Sequence, residues 1–193
     1  MFSASISNPE VNELELKGYE GSITVIDDKR DLGEVLKKVH YEPFIGFDTE
    51  TKPAFKKGEV NEVSLIQLAI PDGVFLIRIN KTGLTNGIVR LFESEEVAKI
   101  GVALRDDIKD LKRQRHFNAA GFIELNQLVK EIGIESNGLR KLTAIILGFR
   151  ISKSAQTSNW ENAELTHKQK TYAATDAWVC YEMYSSLLNK GFI

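Results

Sequence analysis

The chain predicts an α/β fold, a mixed β-sheet laid down first with helices packed on it. Three observations carry this expectation. Short β-rich apolar runs, Phe44 to Phe47, Val63 to Ile70 and Val74 to Ile79, fall in the first half. A run from Val74 to Leu104 alternates strand, helix and strand at a spacing that fits a βαβ unit with parallel strands. The second half is mostly helical and closes on one long segment, His167 to Leu188.

Residues 1–20 mix Ser, Asn and Glu with little periodicity and read as an irregular leader before a single domain over 21–193. Ser22 to Ile26 is the first strand. Asp27 and Asp28 are candidate caps for a helix from about Lys29 to His40, with Leu32, Val35 and Leu36 on one face. Phe44 to Thr51 is a core strand, and Lys52 to Gly58 a polar loop with Pro53 and Gly58 as breakers. Pro71-Asp72-Gly73 joins the next two strands as a hairpin. Gly83 to Glu93 reads as helix and Val97 to Leu104 as strand. Further helices are expected over Asp106 to Arg115, Leu125 to Ile132 and Leu139 to Leu147, with an extended piece at Gly121 to Ile123. Arg150 to Glu164 has no period and reads as loop. Thr166 and Gln169 form a T-x-x-Q capping box that starts the last helix, and Gly191 follows its end.

Composition bounds the classes. The 193 residues are 42% hydrophobic and 27% charged, which suits one ordinary globular domain. A net charge of −2 excludes a generally basic nucleic-acid coat but allows a local basic groove. Cys180 is the only cysteine, so no intrachain disulfide forms. That fits a reducing compartment, cytoplasmic or, in a eukaryote, nuclear. No signal-peptide run opens the chain and no segment could span a membrane. His40, His116 and His167 show no ligand spacing. No protein partner is evident.

Three acidic signals stand out. Asp48 and Glu50 share one face of a strand, where they repel unless a cation sits between them. Alone, the pair is equally a strand that ends in two solvated acids. Asp106 and Asp107 follow another strand, at a helix N-terminus that accounts for both without further chemistry. Asp176 interrupts an otherwise apolar stripe of Tyr172, Val179, Met183 and Leu187. A buried carboxylate there needs a metal, a shifted pKa or a basic partner.

Together these residues resemble the ribonuclease-D-type 3′–5′ exonucleases, the DEDDy branch of a superfamily with a ribonuclease-H-like fold. The resemblance spans roughly residues 21–188. It rests on Phe47-Asp48-Thr49-Glu50, on Gly101-Val102 leading to Asp107, and above all on Tyr172-Ala173-Ala174-Thr175-Asp176-Ala177. Leu65-Ile66-Gln67-Leu68, Leu139-Arg140-Lys141-Leu142 with Leu147-Gly148, and Ser158-Asn159-Trp160 support it. Counted from Gly101, the family's third acid matches Asp107 rather than Asp106.

The resemblance implies hydrolysis of phosphodiester bonds from the 3′ end of single-stranded DNA or RNA, with two divalent cations, Mg²⁺ or Mn²⁺. It assigns Asp48 to both ions, Glu50 and Asp176 to the nucleophile-side ion, Asp107 to the second through water, and Tyr172 to orienting the attacking water. Thr49, Leu65, Arg150 and Lys153 are the expected substrate contacts. Lys109, Lys112, Arg113 and Arg115 read as a solvated helix face, and Trp160 as packing. Two other readings compete: a haloacid-dehalogenase-like phosphatase, whose acid pair also follows a strand, and a degenerate module that only binds nucleic acid. The phosphatase reading leaves Tyr172 and Asp176 unexplained.

Overall fold

A computed structural model describes residues 2–54, 58 and 60–193. Positions 55–57 of the loop expected over 52–58 lie outside the described residues. Six strands form one mixed sheet: β1 (Ile23–Ile26), β2 (Phe44–Thr51), β3 (Val63–Ile70), β4 (Gly73–Ile77), β5 (Ala98–Gly101) and β6 (Phe122–Glu124), in spatial order β1-β4-β3-β2-β5-β6. Among the described residues only β3 runs against its neighbours; the pairs β1–β4, β2–β5 and β5–β6 are parallel. The two-residue connection Pro71-Asp72 forces the β3–β4 hairpin, and β3 is buried along its whole length.

Helices α1 (Asn8–Glu13), α2 (Leu32–His40), α3 (Ile79–Thr82), α4 (Asn86–Glu93), α5 (Leu104–Gln114), α6 (Leu125–Leu128), α7 (Leu139–Leu147) and α8 (His167–Asn189) surround this sheet. One face carries α2, α4 and α5, sealed by Val35, Leu36, Val39, Leu91, Phe92 and Leu111 against Ile45, Phe47, Ile66 and Leu68. The other face carries α8, whose Ala173, Ala174 and Ala177 lie on Leu65, Ala69, Val74 and Leu76. Strand alternation in β2 therefore sends Ile45 and Phe47 to the first face and Gly46, Asp48 and Glu50 toward α8.

Several boundaries differ from expectation for local reasons. The second helix starts at Leu32, because Asp28 spends its carboxylate on Arg30, accepting from its backbone N–H at 2.9 Å and from Nε at 2.8 Å. Asp27 pairs instead with Lys81 and Arg78. The helix expected from Gly83 begins only at Asn86, as α4; the strand expected to Ile79 ends at Ile77, and a separate turn of helix, α3, follows it and stops at Gly83 with φ 71°. Strand β5 stops at Gly101, since Ala103 takes the left-handed conformation (φ 62°) and Leu104 already opens α5. The helix expected over Leu125 to Ile132 finishes as a 3₁₀ turn, Val129–Ile132. Strands β4 and β5 are parallel, yet β3 and β2 lie between them, so the βαβ unit is a wide crossover rather than a neighbouring pair. The leader holds the short helix α1, capped by a reciprocal Ser7–Glu10 box and carrying Pro9 in its first turn.

Candidate active site

The C-terminal end of β2 meets the middle of α8. Gly46 makes this possible: a Cβ there would run into the Ala177 carbonyl oxygen and come within 2.9 Å of the Tyr181 N–H. With the strand seated this closely, ligand oxygens of Asp48, Glu50 and Asp176 all lie within 4.8 Å of one another. Asp48 is half-buried, Glu50 is 8% exposed and Asp176 5%. Asp107 reaches the same end of β2 from the other face and accepts a hydrogen bond from the Thr49 hydroxyl. Its neighbour Asp106 points into solvent.

Asp107 is placed by an unforeseen device. The Glu124 carboxylate at the end of β6 accepts the backbone N–H groups of Ala103 (3.0 Å) and Leu104 (2.8 Å). It thus serves as the N-cap of α5 from another strand, where α5 has no side-chain cap of its own.

The electrostatics follow from crowding. Burial, then the charges of Asp176 and Asp107, raise Asp48 well above the usual carboxylate range. Burial, then Asp48, Asp176 and Asp107, push Glu50 up to about 10. Asp176 rises to about 7 through burial, against the opposing pull of the Tyr172 hydroxyl. Asp107 rises to about 6, again through burial, with the Thr49 contact pulling it down. No basic side chain pairs with these acids among the described residues. Asp48, Glu50 and Asp176, crowded with no basic partner among the described residues, form a donor set that could hold a cation, while Asp107 stands outside that cluster on Thr49 and does not line the cleft. The donor set, all oxygen, fits a hard divalent ion.

Tyr172 stands one turn before Asp176 on α8 and lines the same cleft. Trp160, fully buried, backs it with ring centroids 6.1 Å apart. Burial, then the Asp176 charge, drives the Tyr172 pKa upward, so its hydroxyl keeps its proton. Gln67 sits opposite Asp48 in the β2–β3 register; it is fully buried, and neither amide atom finds a partner among the described residues.

The cleft has a volume of about 420 Å³. Asp48, Glu50, Tyr172 and Asp176 form its acidic side; Arg140, Lys141 and Lys153 supply the basic side. Of the expected substrate contacts, Thr49 and Lys153 line it. Leu65 does not, because it is fully buried under α8. Arg150 does not either: its Nε donates to the Leu14 carbonyl at 2.9 Å and its backbone pairs with the leader. Arg140 and Lys141 line the cleft although the sequence marks them only as part of the Leu139-Arg140-Lys141-Leu142 match; on α7 they look like ordinary surface cations. The cations after Asp107 stay outside the cleft: Arg113 pairs with Asp110 at 2.8 Å, and Arg115 donates to Leu84 and Asn86.

Comparison with known proteins agrees with this geometry. A family model for 3′–5′ exonucleases matches residues 23–191. The chain is 33% identical over 153 residues to the bifunctional 3′–5′ exonuclease/ATP-dependent helicase WRN of Mus musculus; the match takes in 76% of this chain and only 11% of that protein. Among solved structures, the Nibbler EXO domain of Aedes aegypti superposes with a TM-score of 0.82 at 26% identity, covering 90% of this chain and 92% of that one. Trypanosoma brucei RNase D, solved in complex with RNA U12, superposes at 0.76 with 20% identity over 88% of this chain and 63% of that one. The sheet order and flanking helices are those of the ribonuclease-H-like fold.

Proposed function

The chain belongs to the 3′–5′ exonuclease family, and we propose that it hydrolyses phosphodiester bonds of single-stranded DNA or RNA from the 3′ end, using two divalent cations, Mg²⁺ or Mn²⁺. One observation carries the reading: three carboxylates within 4.8 Å of one another form one side of a cleft whose other side is basic. We read residues 21–193 as one exonuclease domain, with residues 1–20 as its leader. The sole cysteine, Cys180, buried and reduced, supports an intracellular setting, cytoplasmic or nuclear.

In this reading Asp48, Glu50 and Asp176 would hold the ions directly, with Asp48 facing both other acids, and Asp107 would support them from the far side of the same strand end. When bound, the ions supply Lewis-acid activation of water and neutralise charge at the scissile phosphate. The chain's own groups do the rest. The Tyr172 hydroxyl, kept protonated and set against Asp176, orients the attacking water. Arg140, Lys141 and Lys153 draw the phosphate chain across the cleft toward the acids. Trp160 acts as a wall behind Tyr172 and not as a stacking surface, since it is fully buried.

A phosphatase of the haloacid-dehalogenase kind is disfavoured. It needs an acid pair on one strand and leaves Asp176 and Tyr172, which complete the cluster here, without work. Digestion of a labelled single-stranded oligonucleotide with Mg²⁺ or Mn²⁺, comparing DNA with RNA and 5′ with 3′ label, tests the proposal. A 5′-labelled strand should shorten stepwise and a 3′ label should leave in the first step. Binding without metal-dependent cleavage would instead mark a degenerate module.

A further inference from the structure

We propose that the leader, residues 2–20, is a working part of the nucleic-acid site: α1 extends the basic wall of the cleft by presenting Asn8 and by holding Arg140 through Asn12. This rests on the exonuclease reading, yet it concerns residues outside the family match, which begins at residue 23.

The leader is fastened along its length. The Ala4 carbonyl accepts from the Glu135 N–H at 2.7 Å and the Ser136 N–H at 3.2 Å, and the Ile6 N–H donates to the Ser136 hydroxyl at 3.2 Å. Farther on, Lys17 N–H donates to the Arg150 carbonyl and Arg150 N–H to the Glu15 carbonyl, each at 2.9 Å. The Tyr19 N–H ends the run on the Thr175 hydroxyl of α8, also at 2.9 Å. Between these ties, α1 packs on α7, and its one fully buried side chain is Val11. These ties to the segment before α7, to the 150 region and to α8 hold the leader against the rim of the cleft. Its first helical residue, Asn8, lines the same cleft as Asp48, Arg140 and Lys141.

The contact between Asn12 and Arg140 explains the chemistry. Arg140 Nη2 donates to the Asn12 side-chain carbonyl. A carboxylate at this position would cancel the guanidinium charge. A neutral amide fixes the side chain and leaves the full charge for a phosphate, so less rotamer freedom is lost when the strand binds. Arg140 has no acidic partner among the described residues. Asn8, an uncharged donor and acceptor on an exposed first turn, suits a phosphate or sugar oxygen on the same strand.

The test uses the full chain on an Asp176→Asn background with Mg²⁺, and follows a fluorescently labelled single-stranded oligonucleotide by anisotropy over a salt series. Asn12→Asp should raise Kd about tenfold and flatten the dependence of log Kd on log salt by about one phosphate contact. Asn8→Ala should raise Kd about threefold with the salt slope unchanged. In the hydrolytic chain both changes should appear in KM more than in kcat. If Asn12→Asp melts early, Asn8→Ala, a truncation of an exposed side chain, decides alone. Kd and slope equal to the parent in both variants, while the parent binds and the wild type digests, overturn the role of the leader and leave the exonuclease reading standing. If the parent does not bind while the wild type digests, KM of the hydrolytic variants decides, and KM equal to wild type in both overturns the role of the leader; a wild type that does not digest overturns both readings.

Discussion

Gly46 lies directly against the carbonyl oxygen of Ala177, and this contact sets how near β2 stands to α8. Asp48 is two residues beyond Gly46 and Asp176 is the residue before Ala177, so the same contact sets the spacing of the carboxylates. Gly46→Ala should push strand and helix apart. Overpacking of this kind costs about 1–3 kcal/mol, and hydrolysis should fall further than stability does. The check is a urea melt beside a single-turnover assay. Full activity in a folded Gly46→Ala protein would show that the spacing does not matter to the site.

Asp107→Asn should cripple hydrolysis, whereas Asp106→Asn should retain it. Asp107 is tied to Thr49 at the end of β2 and Asp106 faces solvent. Rates measured for the two purified variants decide, and the reverse order would assign the role to the wrong neighbour.

Tyr172→Phe keeps the ring against Trp160 and removes only the hydroxyl. The fold and the metal response should survive, with the rate down on the order of 10²-fold. An unchanged single-turnover rate at saturating metal would remove Tyr172 from the mechanism.

Much of this was legible in the chain and some was not. Strand β2 appears with its expected bounds because it is a continuous apolar run that ends in acids. The start of α8 does too, through a capping box in which Gln169 N–H donates to the Thr166 hydroxyl at 3.2 Å. Helix α1 was missed because six residues with one buried side chain leave no periodic trace; its stability lies in the caps and in ties to distant segments. The Glu124 cap of α5 joins residues twenty apart and has no local signature. Leu65 was expected at the substrate because its strand flanks Asp48. That much is true, but its own side chain points under α8 and never reaches the cleft.

Gln67→Met should raise stability. The amide is fully buried and its two polar atoms have no partner among the described residues, a situation that costs about 1–3 kcal/mol. Methionine matches the volume without that cost. A rise in the melting temperature in EDTA is expected; a fall would show that a bound water or a neighbouring group satisfies the amide.

Metal-free stability should decline as pH rises. Asp176 at about 7 and Glu50 at about 10 are held above an unfolded carboxyl near ~4. Their contribution is therefore full below the unfolded value and is lost as pH climbs through the folded values. Melts in EDTA should show a lower melting temperature at about pH 8 than at about pH 5. Added Mg²⁺ or Mn²⁺ should lift the melting temperature more at the higher pH, where Asp176 and Asp107 are ionised and fewer protons must leave when metal binds. Rising stability in EDTA over that range would contradict the crowding described here.

The central claim is that Asp48, Glu50 and Asp176 form a cation site and not a structural cluster. Thermal melts of wild type and Asp176→Asn, each in EDTA and with Mg²⁺ or Mn²⁺, test it most directly. Asparagine keeps the shape and removes one of the repelling charges. The expected result is a melting temperature in EDTA equal to or above wild type, with most of the metal-induced rise gone and hydrolysis abolished. A clearly destabilised Asp176→Asn protein in EDTA, still rising with metal as wild type does, would contradict it and make Asp176 a structural partner instead.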